Sequence, residues 1–199
     1  MKETNLHKAK ILDSMKKNNG IIVRETLLSL GVPSIYLSRL VKDGTIKRVS
    51  RGIYTLPDYA VDEFFVFSHL YSKLVYSRET ALFLNGLSKN RPNQIHAIFP
   101  YGTFVPKLEG FKMNVSRKDT YRLGISMVET PYGNKVPCYD KERSICDLFV
   151  YQDWDYEERN FTIREYAEKY MNFEKLYSYA KKLGVYEKVE NVFGVIGWK

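Results

Sequence analysis

Cysteine and histidine are scarce in this chain. Its 199 residues hold 2 cysteines, Cys138 and Cys146, and 3 histidines, His7, His69 and His96. Two cysteines make no disulfide framework, and they read as free, buried thiols of a reducing compartment. The histidines are scattered without zinc-ligand spacing, so no metal and no cofactor are expected. Long apolar runs are also missing: none approaches the roughly 20 residues needed to span a bilayer. The first fourteen residues are polar and lack the apolar core of a signal peptide. These absences predict a cytoplasmic protein with no membrane partner.

Catalytic signatures are missing as well. No Asp or Glu has Lys at the second position after it, which removes the acid–x–Lys pair of metal-dependent nucleases. There is no Walker A loop and no dinucleotide-binding glycine fingerprint. Asp153-Trp154-Asp155 is an acid pair of the kind metal-dependent nucleotidyltransferases use, but no upstream Gly-Ser signature accompanies it. Cys146 has no catalytic partner evident in sequence. The reading is that the chain is not an enzyme and has no catalytic residues.

What is present is charge, unevenly placed. Of the 31 Lys/Arg and 23 Asp/Glu, residues 1–57 take eleven against four. Residues 58–199 take twenty against nineteen. The net charge of +8 therefore belongs almost wholly to the first quarter, the footprint of a polyanion-binding module on a neutral body. With 44% hydrophobic residues, the body has ample material for a core, and disorder is excluded.

The basic module reads as a winged helix-turn-helix over residues 1–57. Leu6, Ala9, Ile11, Leu12 and Met15 recur at helical spacing, and Asn18-Asn19-Gly20 stops that helix. After the short run Ile21-Ile22-Val23, a second helix spans Arg24–Leu30. A Gly31-Val32-Pro33 turn leads into a third, which ends near Asp43-Gly44. Thr45–Val49 and Ile53–Leu56 flank a Ser50-Arg51-Gly52 turn, a basic-tipped hairpin that makes the wing. On a 100° wheel, Leu37, Leu40 and Val41 face inward while Ile35, Ser38, Arg39 and Lys42 face out, a surface a major groove accepts. Arg39 suits a bidentate pair with guanine or a phosphate clamp, and Ile35 a thymine methyl. Ser38 suits a base edge or a phosphate, Ser34 at the start of the helix is a further DNA-binding candidate, and Tyr36 on its flank is within reach of the backbone. The wing adds Lys47, Arg48 and Arg51. Lys47 and Arg48 alternate in direction, so one of the two is expected at the DNA, with Arg51 at the tip.

From residue 58 to 199 the pattern becomes that of a mixed α/β domain. Helices are predicted over Val61–Lys73 and Ser77–Asn85, and strands over Gln94–Phe99, Phe111–Ser116, Ile125–Glu129 and Lys135–Cys138. Asp140 is predicted to cap a helix to about Tyr151. The acidic stretch 152–158 reads as a solvated loop. Thr162 and Glu165 read as a capping box opening a helix to about Met171. More helix follows to Leu183, and a last segment covers about 185–193. The fold class is α+β, a winged helix followed by a mixed domain with a helical end.

The motifs, taken in order, resemble the AbiEi antitoxins of type IV toxin–antitoxin (abortive phage infection) systems. The resemblance rests on Leu40-Val41-Lys42-Asp43-Gly44, Arg48-Val49-Ser50-Arg51-Gly52-Ile53-Tyr54, Tyr76-Ser77-Arg78-Glu79-Thr80-Ala81-Leu82 and Gly86-Leu87. It continues through Thr130-Pro131-Tyr132-Gly133 and Asp140-Lys141-Glu142-Arg143-Ser144-Ile145-Cys146-Asp147. It implies that the winged helix represses the protein's own operon at promoter inverted repeats. It further implies a C-terminal domain that counters a nucleotidyltransferase toxin without forming a stable complex with it. Arg78, Arg143 and Asp147, polar groups inside these motifs, are the candidates for antitoxicity; their plainer reading is buried salt bridges and helix caps. The alternative function is a stand-alone winged-helix regulator whose C-terminal domain senses a ligand or oligomerises.

Overall fold

The N-terminal lysine-rich amphipathic stretch forms α1 (Lys2–Lys17). Its apolar stripe buries Ile11 and Met15 completely. The chain leaves it through two left-handed residues, Asn19 (φ 52°) and Gly20 (φ 77°), with Gly20 N donating to Met15 O at 2.8 Å. A β-carbon on Gly20 would lie 2.2 Å from the Tyr59 ring, so the turn needs glycine for space as well as for its dihedral. The computed structural model describes residues 2–196. It divides into two compact units, residues 1–71 with 129–134, and residues 72–128 with 135–199.

In the first unit, β1 (Ile21–Val23) leads to α2 (Thr26–Leu30) and α3 (Ile35–Lys42). The hairpin β2 (Lys47–Ser50) and β3 (Ile53–Thr55) follows. The three strands form an antiparallel sheet in the order β1-β3-β2. Leu27, Leu37, Leu40, Ile46 and Tyr54 join Ile11 and Met15 in one core. Each such large apolar side chain contributes roughly 1.5–3 kcal/mol through burial. The sequence placed the end of this module at residue 57, but the compact unit continues into α4 (Glu63–Leu70). Val66 of α4 packs with Ile21 and Ile53 on the sheet.

Asp62 caps α4, accepting from Phe65 N at 3.1 Å. Its other oxygen accepts from Thr130 Oγ1 at 2.6 Å and Asn134 Nδ2 at 2.8 Å. That pairing draws the 129–134 segment, with its Thr130-Pro131-Tyr132-Gly133 motif, into the first unit.

The second unit is built on a five-stranded sheet. Its strands are β4 (Val75–Tyr76), β5 (Ile95–Pro100), β6 (Phe111–Ser116), β7 (Ile125–Glu129) and β8 (Lys135–Tyr139). The order is β6-β5-β4-β8-β7. β4 runs antiparallel to β5 and parallel to β8, while β5 and β6 are parallel. β4 and the short helix α6 (Lys118–Arg122) lie outside the sequence expectation. α5 (Arg78–Leu84) and α7 (Lys141–Val150) pack with α8 (Tyr156–Lys169), α9 (Phe173–Leu183) and α10 (Tyr186–Ile196). Their shared core holds Leu82, Ile145, Cys146, Phe149, Tyr166, Leu176 and Phe193.

Two sequence expectations need correction. Thr162 is no helix cap. It lies buried inside α8, its hydroxyl 3.4 Å from Leu87 O, and the cap is Asp155, which accepts from Glu158 N at 2.9 Å. The acidic stretch is accordingly a loop only up to Asp155, and its remaining residues are the first turn of α8. There Glu157 and Glu158 suit the positive end of the helix dipole. Asp140 does cap α7, accepting from Arg143 N at 2.9 Å, and both cysteines are free and buried.

Candidate nucleic-acid interface

The turn between α2 and α3 depends on Gly31, which closes α2 in the left-handed conformation (φ 62°). Val32 N then donates to Leu27 O at 3.0 Å, setting the angle at which α3 leaves. On α3, Leu37 and Leu40 are buried at 1% and 3% exposure, whereas Ile35 is 52% exposed. Ser34, Ser38, Arg39 and Lys42 are exposed too, and Tyr36 is half-buried. Tyr36 is wedged against His7, ring centroids 4.6 Å apart. The Arg39 guanidinium lies 5.0 Å from the Tyr36 ring centroid, so Tyr36 supports Arg39 from beneath.

The wing carries a bulge. Arg48 pairs with Tyr54 and Ser50 with Ile53, leaving Val49 as the extra residue. Arg48 then lines a cleft of about 610 Å³ with Arg51, Ser34, Ile35 and Ser38. Lys47 instead extends toward Pro57 O at 3.5 Å. The structure thus brings Arg48 and Arg51 together with the start of α3, and leaves Lys47 apart from them.

Two further contributors to the cleft went unnoticed in the sequence. Arg24 lines it, because its backbone N–H continues the sheet by donating to Gly52 O at 2.7 Å at the turn of the wing. His69 at the end of α4 also lines it, its Nε2 3.3 Å from Glu25 Oε2. An arginine directly after a β-branched run is the only sequence signal for the first; the second needs the fold. Among the α1 lysines, Lys8 bonds Thr45 Oγ1 at 3.0 Å and Lys10 bonds Leu30 O at 3.3 Å. Both tie α1 to the rest of the module.

Three arginines around two hydroxyls and the start of a helix, with Glu25 the acid among the lining residues, are a grouping that can attract an anion. Guanidinium groups meet phosphate oxygens in paired, charge-assisted hydrogen bonds, and the helix dipole adds to the attraction. Residues 10–57 match the family described as "Transcriptional regulator, AbiEi antitoxin". The N-terminal module is thus similar to that of the AbiEi antitoxin regulators. No curated protein matches the chain in sequence. A solved structure similar to it is described as the crystal structure of the RV2827C protein from Mycobacterium tuberculosis, with a TM-score of 0.52 and 10% identity. The match covers 88% of this chain and 71% of that one, and the likeness is one of fold. The AbiEi description carries a regulator and antitoxin role, and a transcriptional regulator binds DNA.

Outside the matched residues, in the second unit, Arg78, Arg143 and Asp147 are all buried. Arg143 Nε donates to Asp147 Oδ1 at 3.0 Å, and its Nη1 donates to Leu123 O at 3.1 Å and to Thr120 O. Burial pushes the Asp147 carboxyl up against the opposing pull of Arg143. Arg78 starts α5 with a positive φ of 53°, a costly conformation for a residue with a side chain. Its Nη2 donates to Asp153 Oδ1 at 2.6 Å. Its guanidinium lies 4.6 Å from the Tyr151 ring centroid and 5.1 Å from that of Trp154. The hydrogen bond from Arg78 holds Asp153 below the usual carboxylate range.

Among the described residues no helix is long and apolar enough to cross a membrane. Nor does any group of three or more His, Cys, Asp or Glu there suit a metal ion.

Proposed function

We propose that the protein is the antitoxin of a type IV toxin–antitoxin system that represses its own operon. In this reading the winged helix of residues 1–57 grips double-stranded promoter DNA at inverted repeats, with α4 as its support. The rest of the chain counters a nucleotidyltransferase toxin without forming a stable complex with it. The observation that carries the DNA half is the cleft where Arg24, Arg48 and Arg51 surround Ser34 and Ser38. α3 offers Ile35, Ser38, Arg39 and Lys42 to base edges, with Tyr36 bracing Arg39. The wing sets Arg48 and Arg51 on the phosphates, and Lys47 follows the backbone at longer range. The family description of residues 10–57 supports the regulator role; the toxin class and the type IV mode come from the motif resemblance along the whole chain.

The test has two arms. Footprinting of the full chain on its own promoter should protect paired inverted repeats, and Arg48→Ala with Arg51→Ala should abolish that protection. Co-expression with the product of the adjacent gene should restore growth whether or not those arginines are present. Protection unchanged by the double substitution refutes the DNA reading, and growth arrest unrelieved by the intact chain refutes the antitoxin reading.

A further inference from the structure

We propose that the second unit carries a nucleotide site, a cavity that takes an aromatic base together with its phosphate. The cavity measures about 500 Å³ and is walled by the end of α7, the loop after it, and by α8 and α10. That volume suits a ligand of mononucleotide size. Trp154 and Tyr156 line it, and so do the cations Arg159 and Lys188. Tyr156 is 74% exposed, which leaves its ring open to a stacking partner.

Arg159 supplies the most specific sign. Its guanidinium lies 4.8 Å from the Phe149 ring centroid, and its Nε is buried without a hydrogen-bond acceptor among the described residues. A buried N–H donor calls for an acceptor, and a phosphate oxygen is one that a guanidinium binds strongly. Lys188 adds a second cation on the neighbouring helix. Of the nearby acids, Asp153 is already paired with Arg78 and Lys112, while Asp155 is engaged as the cap of α8 and Glu158 accepts from Ser88.

The aromatic wall is fixed in place beforehand. Trp154 Nε1 donates to Asp147 O at 3.3 Å, and the buried Arg78 lies over both Tyr151 and Trp154. Arg78, Asp147 and, through Asp147, Arg143 therefore converge beneath this wall as positioning residues. Base–aromatic stacking with a cation on the phosphate is the chemistry by which proteins hold free nucleotides and the bases of single strands.

The site is independent of operator binding, so its test uses a separate signal. The chain has two tryptophans, Trp154 and Trp198, and Trp198→Phe leaves Trp154 as the emitter. Titration with ATP and with a single-stranded pentanucleotide should quench that emission saturably. Quenching by ATP identifies the free nucleotide as the source; quenching by the pentanucleotide alone identifies a nucleotide within a strand, and either supports the site. Arg159→Gln and Lys188→Gln should each weaken binding about tenfold. Lys188 is exposed, so its substitution stays informative if Arg159→Gln fails to fold. No saturable quenching by either probe up to about 1 mM, or a Lys188→Gln curve superimposable on the parent's, overturns the proposal.

Discussion

Asp62 and Asn134 meet in a 2.8 Å hydrogen bond across 72 positions of sequence. The Asp62 carboxylate is 2% exposed and also holds Thr130 and the first turn of α4. Asp62→Ala would leave two buried donors and a helix N-terminus without an acceptor. The expected loss is about 2–3 kcal/mol in urea denaturation of the first unit. A loss below about 0.5 kcal/mol would mean that water replaces the carboxylate without cost.

Arg39 and Arg51 should separate by the kind of contact they make. Arg51→Ala, at the wing tip, should weaken operator and unrelated DNA alike, and lower the slope of log affinity against log salt by about one. Arg39→Ala, on the outward face of α3, should cost about 1–3 kcal/mol on the operator and little on unrelated DNA. Fluorescence anisotropy at several salt concentrations reads both. Equal losses on both DNAs for Arg39→Ala would place that guanidinium on a phosphate rather than a base.

The Arg143–Asp147 pair, with side chains 4% and 2% exposed, should be costly to break by halves. Asp147→Asn strands a buried guanidinium, and Arg143→Met strands a buried carboxyl; each is expected to destabilise by about 3–5 kcal/mol. Arg143→Met combined with Asp147→Leu should cost less than either alone. Chemical denaturation of the three variants gives the comparison. Additive losses in the double variant would contradict the pairing.

Cys138 and Cys146 should resist thiol reagents at pH 8 in the folded protein and react fully in denaturant. Burial raises the Cys146 thiol from 9.0 to about 12, with the Asp147 charge adding to it. Burial likewise raises Cys138 well above its ordinary value. Folding thus favours the protonated thiols. Their contribution to stability is complete below pH 9, then falls as pH rises through about 12 for Cys146. Rapid labelling at pH 8 would contradict the burial, and a midpoint that holds steady from pH 9 to 11 would contradict the linkage.

Much of the winged helix was legible because its elements announce themselves locally. Leu37 and Leu40 against Ile35 and Arg39 is a clear helical stripe, and Ser50-Arg51-Gly52 is a clear turn. The cysteines and the Asp140 cap were legible for the same reason. Thr162 misled because a capping box is short enough to arise inside a helix, while Asp155 and Glu158, a pattern of the same kind, were hidden in what looked like a charged loop. β4 has two residues, too few to show a period. Arg24 and His69 enter the cleft through sheet register and the packing of α4, which no local pattern encodes. The extent of the first unit escaped for the same reason, since Asp62 finds its partners at Thr130 and Asn134.

That long-range closure gives the protein a sense of time. At roughly 5–20 residues per second of synthesis, the 72 positions between Asp62 and Asn134 take on the order of 4–14 seconds to translate. Until then the carboxylate waits for its partners, and the first unit on a growing chain lacks its last segment. A unit closed this way is complete only when most of the chain has left the ribosome.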